Sequence, residues 1–328
     1  MNVDGVVDMT ENKRNIWLDG IMGVVVGDAL GLPVQFLYRS ELKKNPLSDM
    51  IGFGTFHLPA GSWSDDSSLT LATLDSLKVC GRVDCDDIME RFAAWLVDGE
   101  YTPFGESYDQ GATCVRAIVN YINHRDASNC GVTGEYANGN GALMRIMPVC
   151  LWAYEKVCVG EWTDSEAVEA VHKVSALTHN HLRSQMACGF YYFMIKSILN
   201  KEGTLIERLQ DGIDKAVIFY HQSPENLLQL AYYNRLLHLG LFKDIPEDKI
   251  ASSGYVLDSI EAAIWCLINT DSVEACLLKA ANLGEDTDTV AAIAGGLTGL
   301  YYGYHEIPEK WLEKIQKRAW IEELCNMS

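Results

Sequence analysis

Two short stretches of this sequence gather residues able to hold a cation. Gly61-Ser-Trp-Ser-Asp-Asp-Ser-Ser-Leu runs into Leu71, Leu74 and Leu77, and Gly284-Glu-Asp-Thr-Asp-Thr-Val runs into a glycine-rich apolar stretch. Each sets a hydroxyl and two carboxylates at the mouth of an apolar helix: Ser64, Asp65 and Asp66 in the first, Asp286, Asp288 and Thr289 in the second. Acidic residues there have an ordinary explanation, since they cap free amides and complement the helix dipole for about 0.3–1 kcal/mol each. Taken singly, either segment is better read that way. Two such segments in one chain are harder to explain, because one cap needs one acceptor. Oxygen ligands of this kind suit hard divalent cations, Mg2+, Mn2+ or Ca2+, rather than zinc. Four carboxylates crowded without cations would raise one another's pKa and cost stability, whereas two divalent ions would balance their charge. The expectation is a binuclear site, provided the two helix mouths meet in space.

The elements that would position these groups read as helices. Val290, Ile293, Ala294, Leu297 and Tyr301 recur at helical spacing, as do Val256, Ile260, Ala263, Ile264 and Leu267, and Val115, Ile118, Val119 and Ile122. The eight prolines fall between such blocks, and no strand alternation is evident. Gly20, Gly23, Gly27 and Gly31, and again Gly295, Gly296 and Gly299, sit inside helical stretches, each at a cost of about 1 kcal/mol relative to alanine. Close backbone approach would offset that cost, through plain helix packing or a functional demand. The expected fold is all-α, a compact orthogonal helical bundle with functional loops between buried helices. Residues 1–14 read as a polar segment and 15–328 as one domain; residues 200–249 read as surface helices and turns without chemistry.

Composition narrows the partners. The 328 residues are 48% hydrophobic and 22% charged, with a net charge of −19, so no basic stripe invites a nucleic-acid backbone. Ten cysteines without a Cys-x-x-Cys pair, and a polar start without an apolar leader, suggest reduced thiols in a cytoplasmic protein. No apolar run looks long enough to span a bilayer, and a monomer is expected.

The chain resembles the ADP-ribosylglycohydrolase family, which includes the dinitrogenase reductase-activating glycohydrolase and the ADP-ribosylarginine and ADP-ribosylserine hydrolases. Six landmarks run in family order between residues 21 and 303: Gly27-Asp-Ala-Leu-Gly-Leu-Pro, Trp63-Ser-Asp-Asp-Ser, Asn138-Gly-Asn-Gly-Ala-Leu-Met-Arg, Thr178-His179, Gly254-Tyr-Val-Leu-Asp and Gly284-Glu-Asp-Thr-Asp-Thr. The resemblance implies an all-α fold and two Mg2+ or Mn2+ ions on Ser64, Asp65, Asp66, Asp286, Asp288 and Thr289. Serine stands at 64 where threonine is common, and it keeps the oxygen. It also implies hydrolysis of the bond between ADP-ribose and a protein side chain, or an ADP-ribosyl small molecule. Asp66 and Asp288 are the ligands on which catalysis would depend most. A crystallin-like binding protein and a two-metal phosphohydrolase are the competing classes.

Gln35 departs from the pattern of several members, which carry a glutamate seven residues after the aspartate matching Asp28; in serine-linkage hydrolases that glutamate is catalytic. Glutamine cannot act as a base, which turns the expectation toward ADP-ribosyl-arginine. Asp109 resembles the position of an active-site carboxylate in arginine-directed members, or is a turn residue before a helix starting near Thr113. Asp28 either orients metal ligands or satisfies backbone amides. By resemblance the Asn138, Gly139, Asn140, Gly141 loop and Met144 meet the diphosphate or the distal ribose, and His179 and Gln35 touch substrate. Tyr255 is a candidate for stacking on the nucleotide or a core tyrosine. Trp63 props the metal loop, and His181 is unassigned.

Overall fold

The computed structural model describes residues 14–327, so the first thirteen residues of the polar N-terminal segment lie outside the described residues. Sixteen α-helices and no strand occur among the described residues. In order they are α1 (Ile16–Gly31), α2 (Arg39–Leu42), α3 (Asp65–Cys80), α4 (Cys85–Asp98), α5 (Ala112–His124), α6 (Met147–Cys158), α7 (Asp164–Ala176) and α8 (Leu182–Asn200). The second half holds α9 (Leu205–Tyr220), α10 (Pro224–Leu230), α11 (Leu239–Phe242), α12 (Val256–Ile268), α13 (Val273–Ala281), α14 (Thr287–Tyr302), α15 (Glu309–Leu312) and α16 (Arg318–Leu324). Pro148 and Pro224 stand in first turns, where a missing amide hydrogen costs nothing.

The pairing of α1 with α14 organises the rest. A Cβ on Gly23 would lie 2.1 Å from the Gly295 carbonyl oxygen, and one on Gly27 would lie 2.1 Å from that of Ala291. Gly31 rests on the Asp288 backbone and Gly299 on Asp19. The matched positions ascend on one helix as they descend on the other, so the pair is antiparallel and the end of α1 meets the start of α14. Packing and function, the two readings left open for these glycines, are therefore one: the close approach brings Asp28 to Asp288.

By length and composition residues 16–34 do reach the span of a bilayer, contrary to expectation, yet 83% of that window is buried inside the protein. This is how a core helix in the middle of a helical protein reads. One contiguous cluster of buried side chains extends from Trp17 to Cys325. All ten cysteines are free, seven of them buried.

The stretch 200–249 corrects the sequence reading. Leu209, Ile213, Ala216, Tyr220, Tyr233, Leu236 and Leu239 are fully buried. Phe190 of α8 stacks on Tyr220 and on Tyr233, with ring centroids 5.7 Å and 4.6 Å apart. Leu209, Ile213, Ala216 and Tyr220 repeat at helical spacing along α9, while Tyr233, Leu236 and Leu239 come from the short elements after it.

Candidate active site

Three helix ends converge. At the start of α3, Ser64 is the N-cap and its hydroxyl accepts from the Asp66 amide. Asp28, near the end of α1, accepts from the backbone amides of Ser64 and Ser67 at 3.0 Å and from the Ser67 hydroxyl at 2.6 Å. The carboxylate of one helix thus caps another. At the start of α14, Asp288 accepts from the Thr289 amide at 2.9 Å. Both α3 and α14 point their amide ends inward, which favours negative charge here.

The carboxylates are crowded and buried. Asp28, Asp66 and Asp288 each place an oxygen within 4.8 Å of the others. Asp66 Oδ2 accepts from Ser64 Oγ at 3.1 Å and from Thr289 Oγ1 at 3.3 Å, while Asp66 Oδ1 and Asp288 Oδ2 have no partner. Asp65 faces the cleft above, and Asp286 accepts from the Asn140 amide at 2.6 Å. Burial, then the charges of the neighbouring aspartates, pushes Asp65, Asp66 and Asp288 well above the usual carboxylate range. Burial raises Asp28 to about 6.

Such a set is unbalanced as it stands. Buried anions without cations are costly, and two carboxylate oxygens without partners are rare in a well-packed interior. An all-oxygen donor set with orphaned lone pairs fits a hard divalent cation. Asp28 lies close by, but its oxygens are taken up by the first turn of α3. Its place is to hold Ser64 and the two aspartates after it, so both sequence readings of Asp28 describe the same hydrogen bonds.

Above the carboxylates lies a cleft of about 600 Å³, large enough for a nucleotide-sized ligand. Gln35, Asp65, Asp109, Gly139, Asn140, Gly141, Met144, His179, Asp286 and Thr289 line it. Asp109 adopts a left-handed backbone (φ 52°) in the turn before α5 and accepts from Gln35 Nε2 at 2.9 Å. Burial raises its pKa, opposed by the hydrogen bond from Gln35. The side-chain oxygen of Gln35, Oε1, has no partner.

Two expected substrate residues do not line the cleft. The Asn138 side chain is buried between the Glu135 carbonyl and the Ser184 hydroxyl. Tyr255 takes a hydrogen bond from Arg183 at 3.0 Å. Their backbones matter instead, since residues 138–140 run beside 254–256 through Asn140 N to Gly254 O and Val256 N to Asn138 O. His181 caps α8 by accepting from the Arg183 amide. Trp63 is fully buried and donates to the Tyr101 carbonyl, under the loop that carries Ser64. Sequence reasoning missed Phe36, Tyr38 and Cys114 on the cleft wall, none of which has a chemical signature.

Comparison with known proteins bears on the chain as a whole. The profile of the ADP-ribosylglycohydrolase family matches residues 9–327. An ADP-ribosylarginine hydrolase of Serratia proteamaculans is 34% identical over 93% of this chain and 76% of its own. The ADP-ribosyl-[dinitrogen reductase] glycohydrolase of Rhodospirillum rubrum is 30% identical over 92% of this chain and 90% of its own. A solved structure described as an ADP-ribosylglycohydrolase-related protein complex superposes with a TM-score of 0.74 at 28% identity, covering 95% of this chain and 96% of that one.

Proposed function

We propose that this chain, which belongs to the ADP-ribosylglycohydrolase family, hydrolyses the bond joining ADP-ribose to an arginine side chain of a modified protein. The observation that carries the reading is the pair of orphaned buried oxygens, Asp66 Oδ1 and Asp288 Oδ2, beneath a nucleotide-sized cleft. The arginine linkage is supported by relatives named ADP-ribosylarginine hydrolases at 34% and 29% identity. Gln35, where serine-directed members would carry a glutamate, points the same way.

Ser64, Asp65, Asp66, Asp286, Asp288 and Thr289 would hold two Mg2+ or Mn2+ ions, which supply Lewis acidity toward the ribose hydroxyls and the attacking water. The protein's own groups do the rest. The loop 139–141 seats the polar body of the ligand, with Asn140 locked by Asp286 and Ser259. Asp109 stands in the cleft with one oxygen on Gln35, and it takes the proton of the water that attacks the anomeric carbon. The carbon passes through an oxocarbenium-like state and the glycosidic C–N bond breaks; one hydrogen of the water stays on the new anomeric hydroxyl, and the proton Asp109 takes balances the one gained by the leaving guanidine nitrogen.

The test incubates the protein with ADP-ribosyl-arginine and ADP-ribosyl-serine peptides in Mg2+ and in EDTA. Metal-dependent release of ADP-ribose from the arginine peptide is expected. Release from serine alone would overturn the linkage, and AMP as product would reassign the site to phosphoryl chemistry.

A further inference from the structure

The fully buried Arg145 has no carboxylate partner. Its Nη2 donates to Val174 O at 3.2 Å and Thr178 Oγ1 at 2.8 Å, while Nε and Nη1 have no partner. The Phe92 ring lies 4.7 Å from its guanidinium carbon. A buried cation held this way costs the fold several kcal/mol, so its position calls for a reason.

Thr178 leads from it to the cleft. Thr178 Oγ1 lies 2.9 Å from His179 Nδ1, and His179 lines the cleft. A guanidinium only donates, so the Arg145 contact occupies a lone pair of the threonine oxygen and leaves its hydrogen for Nδ1. With Nδ1 accepting, a neutral imidazole carries its proton on Nε2. The ring's Nε2 edge lies against two glycines: a Cβ on Gly139 would be 3.2 Å from Nε2, and one on Gly141 would be 2.9 Å from Cε1. Both glycines therefore leave room for this ring.

We propose that Arg145, acting through Thr178, fixes His179 as a neutral Nε2–H donor directed at the cleft, where it binds an anionic oxygen of the ligand's diphosphate. Arg145 and Thr178 are positioning residues, and the diphosphate part rests on the ADP-ribose reading of the cleft. The groups facing the ring are Arg145, Thr178, the Cys114 thiol and the backbone of 139–141. Burial, and the Arg145 charge after it, lowers the His179 pKa to about 3, and burial pushes the thiol up to about 12. Burial thus keeps the ring neutral through the neutral range and down to about pH 5.

Histidine-selective 15N labelling with a long-range proton–nitrogen correlation reads the tautomer, and His179→Asn assigns the signal among the eight histidines. Wild-type protein should show protonated Nε2 and bare Nδ1, unchanged between pH 8 and pH 5. Thr178→Val should mix the tautomers and weaken ADP-ribose binding about tenfold; Thr178→Ser should restore both. Addition of ADP-ribose should shift Nε2 in the wild type. A proton on Nδ1, or a Thr178→Val spectrum identical to wild type, overturns the proposal. ADP-ribose that fails to bind a wild type with the stated tautomer counts against the glycohydrolase function and not against the relay.

Discussion

At the residue scale the site is a problem of uncompensated charge. Asp66 and Asp288 are buried among other carboxylates, and each leaves one oxygen without a partner. Metal-free protein bears the repulsion, so Mg2+ or Mn2+ should raise its melting temperature, and EDTA should lower it again. Asp66→Asn removes one charge and keeps the shape. Without metal it should be more stable than the parent by about 1 kcal/mol or more, yet gain little from Mg2+. Its hydrolysis should fall by more than about a hundredfold. A metal-free Asp66→Asn protein much weaker than the parent would mean that the carboxylates are not a cation site.

Gln35 allows a second test at this scale. Its amide donates to Asp109 across 74 positions of sequence. Gln35→Glu would set two carboxylates against each other, so that they share a proton or move apart. Hydrolysis of ADP-ribosyl-arginine should drop about tenfold or more, measured on metal-loaded protein that circular dichroism shows to be folded. An unaltered rate would remove this contact from the mechanism. The residue types of the carboxylate cluster were legible because two helix mouths in one chain carry the same hydroxyl-carboxylate pattern, which a single cap does not require. The Gln35–Asp109 bond was not, since nothing in either segment points to the other. Nor was the inward turn of Asn138, because an Asn-Gly loop does not reveal which side chains face its ligand.

At the element scale the glycines of α1 decide where the carboxylates stand. Their recurrence was visible in the sequence, but not the partner helix or its antiparallel sense. Gly27→Ala would drive a methyl group into the Ala291 carbonyl, against backbone that cannot yield. The helix-propensity gain of about 1 kcal/mol is outweighed by overpacking, for a net loss of about 2 kcal/mol or more. Gly20 differs: its added Cβ would meet only side-chain atoms of Met147, Leu300 and Leu151 at 3.1–3.4 Å. Gly20→Ala should therefore cost less than Gly27→Ala in urea unfolding. The Gly27 variant should also lose metal affinity, because displacing α1 displaces Asp28 from the first turn of α3. Equal costs at the two positions would mean that α1 and α14 are farther apart than described.

At the scale of the whole molecule, one separable contribution to acid stability comes from a histidine far from the chemistry. His172 of α7 stacks on Tyr220 of α9, with rings 4° from parallel and centroids 5.8 Å apart, and its Nε2 lies 2.8 Å from the tyrosine oxygen. Burial lowers its pKa from 6.5 to about 4. The folded state therefore resists a proton that the unfolded chain takes up readily. Between these two values the unfolded state binds more protons, so stability is complete above about pH 6.5 and is lost as the pH falls toward 4. At pH 4.5 the loss from this one group is on the order of 2–3 kcal/mol. The aspartates of the site act in the opposite sense in metal-free protein, since their raised values favour the folded state in acid. The curve of the parent alone is thus a sum of opposing effects, and only a difference isolates the histidine. His172→Gln keeps a polar side chain and cannot titrate. Relative to its own stability at pH 7.5, it should lose roughly 2–3 kcal/mol less than the parent at pH 4.5, with metal-free samples and urea unfolding at each pH. Parallel curves would show that the ring is protonated in the folded state, and that the contact between α7 and α9 carries a charge which burial here disfavours.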